Sequence, residues 1–181
     1  ELAHFEAHAV LLSKHAYSAD DKTTPGNTEH RRVLSPYDFA IGWGPMSNPS
    51  VLKNFTYFQK DRFFFYAAFM DFLERSQGLH TDFHVANVHI IPGNDAVADA
   101  LERVQPRDIV TIEGALIEIS FRKQVLWKSS LTRTDTGDGA CEVLFLTKLT
   151  WTSRPPSTQE IPLPKLPELP AAISDEHRQG N

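Results

Sequence analysis

The sequence predicts a single α+β domain: a curved, mainly antiparallel sheet or small β-barrel, covered by short helices and followed by a proline-rich C-terminal tail. Three observations point there. Between residues 108 and 151, DIVTIEGALIEIS, QVLWKSSLT and EVLFLTKLTW are β-rich runs joined by turn-like stretches. Near the N-terminus, HFEAHAVLLS alternates Phe5, Ala7, Ala9 and Leu11 against His4, Glu6 and His8, the period of a strand. In DAVADALERV, by contrast, Val97, Ala100, Leu101 and Val104 fall on one helical stripe.

Taken in order, the first strand gives way at 18–32 to SADDKTTPGNTEHRR, a loop rich in turn formers and charge. Ser35 and Pro36 then offer an N-cap and a first helical residue, which predicts a short helix over 36–41, ended by Gly42 and Gly44. Asn48-Pro49 repeats that chemistry and predicts a helix over 49–54. The aromatic run at 57–69 reads as a strand, with 67–77 open between strand and helix. FHVANVHII is a strand closed by Pro92-Gly93, and Asn94 caps the helix of 94–104. Gly114 sits mid-strand, where a bulge lets a strand bend around a small barrel. An Asp followed by alternating β-branched residues and that glycine resembles the first long strand of an oligonucleotide- or oligosaccharide-binding (OB) barrel, a bend that many small barrels share. Six of the twelve prolines lie between Pro155 and Pro170, so the domain is placed at 1–154 and an extended or disordered tail at 155–181.

A chain of 181 residues can bury a real core. Its net charge of -5 offers no basic face for phosphates, so no nucleic-acid partner is expected. Cys141 is the one cysteine, which rules out an intrachain disulfide. No run of 18 apolar residues exists, and the chain begins at Glu1, so membrane contact is expected only through an upstream segment absent from this chain.

Chemistry concentrates in SLTRTDTGDGACEV, residues 130–143. Asp135-Thr136-Gly137 has the letters of an aspartic-protease loop, but it occurs once and lacks the apolar strand before it. Asp135, Asp138 and Glu142 lack the spacing of a calcium loop. The eight histidines match no familiar metal-ligand pattern, and no motif calls for a cofactor. Asp138-Gly139 favours a tight hairpin feeding the next strand. The sharper reading is a cysteine nucleophile: Cys141 with His89 as base and Asn87 orienting it, since Asn87 and His89 share a strand face. Cys141 as buried core filling is the structural alternative.

SPYDFAIGWGPMS (35–47), ANVHIIP (86–92) and SSLTRTDTGDGACE (129–142), together with FQKDRFFFY, resemble blocks of a family of uncharacterised, mainly proteobacterial proteins with an N-terminal hydrophobic segment. The resemblance runs from about Phe5 to Trp151 and implies a location in the bacterial cell envelope, on its periplasmic face and anchored by the missing segment. It implies no activity. It marks the three blocks as one joint site, with Trp43, Arg133 and Asp135 as candidate ligand-binding residues. The first functional expectation is therefore an envelope binding or assembly module without catalysis, with a protein or envelope partner. The second is a cysteine-dependent hydrolase or transferase. They differ over Cys141: an enzyme needs its sulfur in a cleft beside an imidazole, a binding module does not.

Overall fold

The computed structural model describes residues 1–18, 20–21, 23–24, 28–75, 84–132, 135 and 139–153. The proline-rich stretch from 155 onward lies outside them. The described chain is mostly strand, arranged as a curved mixed sheet with short helices, in keeping with an α+β class.

Strand β1 (Ala3–Ala16) is long enough to serve two neighbours. Residues 3–10 pair with a later strand, and residues 10–16, with an irregularity between Leu11 and Ser13, pair with β2 (Tyr37–Gly42). Between them α1 (Glu29–Leu34) is capped by the Thr28 side chain; the loop read over 18–32 thus ends four residues inside a helix. After β2 come a 3₁₀ turn at Gly44–Ser47 and α2 (Pro49–Leu52), capped by Asn48. The aromatic run resolves into a hairpin, β3 (Phe55–Lys60) and β4 (Phe63–Ala68), followed by α3 (Met70–Arg75).

Residues 37–42 are a strand, correcting the helix expected over 36–41. Local capping chemistry at Ser35-Pro36 is outweighed by two partner strands, because β2 lies between β1 and β5 (Val85–Pro92). Ser35 does not start a helix but ends α1, its N–H donating to the Arg31 carbonyl, and its hydroxyl donates to the Tyr37 carbonyl. Gly42 is needed for close approach, since a Cβ there would stand 2.5 Å from the Met46 carbonyl oxygen.

β5 leads into α4 (Asp95–Arg103), whose Asn94 cap accepts from the Val97 N–H as its residue type predicts. β6 (Ile109–Leu116) follows, then a second hairpin, β7 (Glu118–Phe121) with β8 (Gln124–Lys128), and finally β9 (Glu142–Thr152). The sheet pairs in the order β1-β2-β5-β9-β6 and returns to β1; β5 and β9 run parallel and the other pairs are antiparallel. The ladder between β6 and β9 shifts register at Glu113/Gly114, as the mid-strand glycine suggests.

Two apolar clusters result. The inner one joins Leu11, Phe39, Ile41, Val88, Ile90, Ile112, Leu144 and Leu146 to the buried stripe of α4. The outer one packs Tyr57, Phe64 and Tyr66 of the aromatic hairpin against Val10, Leu12, Ala40 and Val85. The hairpin thus covers the outer face of β1, β2 and β5, which is why β5 is buried on both faces along Val85–Ile90.

Candidate functional site

Strand alternation sends Phe39 and Ile41 of β2, and Ala86, Val88 and Ile90 of β5, into the inner core. Asp38, Asn87 and His89 therefore face outward. Register sets Asp38 directly opposite His89 and Ala40 opposite Asn87. On the other side of β5, Val88 pairs with Glu142, so Cys141 at the start of β9 comes beside Asn87. Three side chains distant in sequence thus meet because of two ladders.

Asp38 is the hub. Its Oδ1 accepts from Arg62 Nη1 at 2.7 Å and from His89 Nδ1 at 2.8 Å, and its Oδ2 accepts from the Tyr17 hydroxyl at 2.8 Å. Arg62 also donates to the carbonyl and hydroxyl oxygens of Ser35 and lies with its guanidinium 3.5 Å from the Tyr17 ring centroid. Asp38, Arg62 and His89 are all buried. An unpaired charge there would be prohibitive, and the three are compensated by one another.

Burial alone pushes the Asp38 carboxyl up. The charge of His89, its hydrogen bond and the Arg62 guanidinium outweigh that, holding the group below its usual range. For His89 burial pulls downward, but the Asp38 carboxylate, helped by the Cys141 sulfur, raises the imidazole to about 9. At neutral pH the cluster is a carboxylate between two cations. Tyr17 is driven above its ordinary value by burial and by Asp38, so it remains a donor.

Nδ1 of His89 is committed to Asp38, which leaves the other ring nitrogen for the Cys141 thiol. The amide of Asn87 donates to Cys141 Sγ at 3.6 Å and to the Arg62 carbonyl at 2.8 Å, while its oxygen accepts from Gln59. Asn87 is thus a neighbour of the sulfur. The residue that orients His89 is Asp38, which corrects the orienting role expected of Asn87.

Cys141 is half-buried and opens on a cavity of about 280 Å³. Arg31, Arg62 and Lys128 reach this cavity with His89, and Trp127, Phe63, Val125 and Leu126 supply its apolar wall. The His89 ring lies 4.8 Å from the Trp127 ring. The approach to Cys141 is fixed by serines: Ser130 N–H donates to the Cys141 carbonyl, and Ser129 Oγ accepts from Val143 N–H. β8 pairs with β7, and β9 with β5 and β6, while Ser130 and Cys141 are hydrogen-bonded to each other between them; the turn expected at Asp138-Gly139 includes Asp138, which lies outside the described residues.

The other expected ligand residues fall elsewhere. Trp43 stands beside His84, 6.3 Å between ring centroids, away from the cavity lining. The Asp135 carboxylate accepts from the Ser130 hydroxyl at the base of the loop. Arg133 lies outside the described residues. Asp38, Arg62, Tyr17 and Trp127 were not singled out by sequence reasoning. The available signal was an isolated Asp in the apolar run YDFAIG and an Arg leading the aromatic run of QKDRFFFY.

No protein-family model, no curated protein and no solved structure matches the chain.

Proposed function

We propose that this protein is a cysteine-dependent hydrolase or acyl transferase, with Cys141 as nucleophile, His89 as its acid–base partner and Asp38 holding His89. The observation that carries this reading is the order of contacts: a half-buried thiol at a cavity, an imidazole beside it, and a buried carboxylate 2.8 Å from that imidazole's far nitrogen. This is the nucleophile–base–orienter arrangement that covalent catalysis requires. Cysteine nucleophiles act as thiolates, and an adjacent imidazolium is one of the groups that favours that form.

In the proposed reaction the sulfur attacks the carbonyl carbon of an ester or thioester. The leaving group departs with the proton from His89, which leaves an acyl group on Cys141. Water, or an acceptor nucleophile, then attacks that acyl group while His89 takes its proton, and the sulfur leaves as a thiolate, regenerating the starting thiolate–imidazolium pair. The Asn87 amide beside the sulfur would donate to the oxygen that gains charge during attack. The scaffold we assign to it is an OB-type barrel, a reading supported by the closed strand order and by a helix between the third and fourth strands of the ring.

A test is direct. Incubation with p-nitrophenyl acetate at neutral pH should release a burst of nitrophenol and leave an acetyl group on Cys141, found by peptide mass mapping. His89→Gln should abolish the burst. A folded protein whose Cys141 acetylates more slowly than in the urea-unfolded chain would refute the assignment. A binding or assembly module of the envelope is the second reading. It is favoured by the exposed apolar side chains Val125 and Leu126 at the cavity, and it predicts no acyl intermediate.

A further inference from the structure

The aromatic hairpin has two faces, and one of them packs on the main sheet. Register sets Phe58 opposite Phe65 and Lys60 opposite Phe63, while Tyr57, Phe64 and Tyr66 alternate with them and pack inward on the outer cluster. The outward rings form a patch of their own. Phe58 and Phe65 stack at 5.0 Å between centroids, and Phe63 lies 6.3 Å from Phe65. Phe58 is 36% exposed and Phe65 45%; Phe69 and Met70, just past β4, are exposed as well. Single exposed apolar side chains need no explanation, but stacked rings gathered on one sheet face gain by being covered.

The chain leaves the described fold beside this hairpin. Thr152 pairs with Ile109, which packs on the cluster the hairpin covers. Ile109 also stands opposite Val10, whereas Arg62 in the hairpin's turn bonds Asp38, which stands opposite His15. The exit thus lies toward the open end of the hairpin, where Phe69 N–H donates to the Asn54 carbonyl. Further along the sequence, outside the described residues, comes IPLPKLPELP, residues 161–170. All of it except Lys165 and Glu168 is proline or precedes proline, which biases the backbone to polyproline II before any contact forms. At three residues per turn, Leu163, Leu166 and Leu169 share one edge and Pro164, Pro167 and Pro170 a second, leaving Lys165 and Glu168 on the third. We infer that residues 161–170 dock as a polyproline helix on the outward face of the β3–β4 hairpin. The leucine and proline edges cover Phe58, Phe63 and Phe65, and Lys165 and Glu168 face water. Proline-rich helices suit aromatic surfaces because they have little conformational entropy left to lose. The tether is long enough: residues 153–160 span up to about 25 Å at about 3.1 Å each. The path needs about 10 Å for two strand spacings and about 10 Å for one sheet layer. That tether gives this segment an effective concentration on the order of millimolar, an advantage over any free partner. The inference is independent of the chemistry at Cys141.

The test is NMR on the full chain labelled with ¹³C and ¹⁵N. Nuclear Overhauser contacts should join the methyls of Leu166 and Leu169 to the rings of Phe58 and Phe65. Backbone order parameters over 163–170 should exceed about 0.6, the value below which a backbone is flexible. Leu163→Ser, Leu166→Ser and Leu169→Ser combined should abolish those contacts and bring the order parameters below about 0.6. Lys165→Ser with Glu168→Ser, on the third edge, should leave both unchanged. All these substitutions lie outside the β-sheet domain, so its folding is not at stake. Order parameters below about 0.6 in the unmodified chain overturn the inference. So do leucine contacts to any other surface, or equal losses from the two sets of substitutions. In a mixture of labelled and unlabelled chains, contacts found only between different chains would place a second copy's tail on the hairpin, which also overturns docking within one chain.

Discussion

Arg62 combines two costs that a structural residue would avoid. It sits at φ 74° in the turn of the aromatic hairpin, next to Asp61 at φ 51°, and its charge is buried. Backbone in that region favours glycine or asparagine, so the guanidinium compensates a strained turn by reaching Asp38 and Ser35. Arg62→Gly should relax the turn yet leave Asp38 with one cation fewer, for a net loss of roughly 3 kcal/mol or more in urea unfolding. Arg62→Lys should recover little of it, because a single ammonium cannot serve both partners in their fixed directions. Asp38→Asn should keep the fold's packing but lower the Cys141 acylation rate by at least tenfold, as His89 loses the group that keeps it protonated and aimed. Of this site, Cys141, His89 and Asn87 could be proposed from the sequence, because alternation along one strand is local. Asp38 could not, since its place opposite His89 is a matter of register between two strands.

Strands and turns carry their own tests. The turn of the second hairpin, Arg122-Lys123, has the same left-handed backbone, φ 49° and 67°, but its side chains are exposed. Changing it to Asn-Gly should stabilise the protein by about 1 kcal/mol with no effect on Cys141 acylation, the opposite of the outcome at Arg62. At Gly114 a Cβ would lie 2.2 Å from the Phe145 carbonyl oxygen across the ladder. Gly114→Ala should therefore cost about 1–3 kcal/mol, measured as a drop in denaturation midpoint. That glycine was legible because a mid-strand glycine with β-branched neighbours has few other uses. Residues 37–42 were not: Ser35-Pro36 is a valid local helix start, and only the neighbouring strands decide against it.

Over the whole molecule, the sequence shows most strands by their period, though not β2, and the register shift of β6 by its glycine, but not the order in which the strands pair. The parallel match of β5 with β9 joins strands that are not consecutive in the chain, and it is the one that brings Cys141 to His89. Because Asp38 and His89 are adjacent on the central strands, their ionisation should be felt in global stability. His89 is raised to about 9 on folding from 6.5, so its contribution is complete below pH 6.5 and is lost as pH rises through 9. Asp38 is lowered, so its contribution is present above its unfolded value and is lost as pH falls through the folded one. Unfolding free energy should thus decline between about pH 6.5 and 9 by on the order of 3 kcal/mol, and fall again in acid. Urea titrations at one-unit intervals from pH 5 to 10 would measure the alkaline decline, with His89→Gln as the comparison. That variant starts less stable and should show a flat profile over the same interval. A wild-type profile equally flat between pH 6.5 and 9 would mean that His89 does not gain its proton from folding, and would remove the imidazolium on which the proposed chemistry at Cys141 depends.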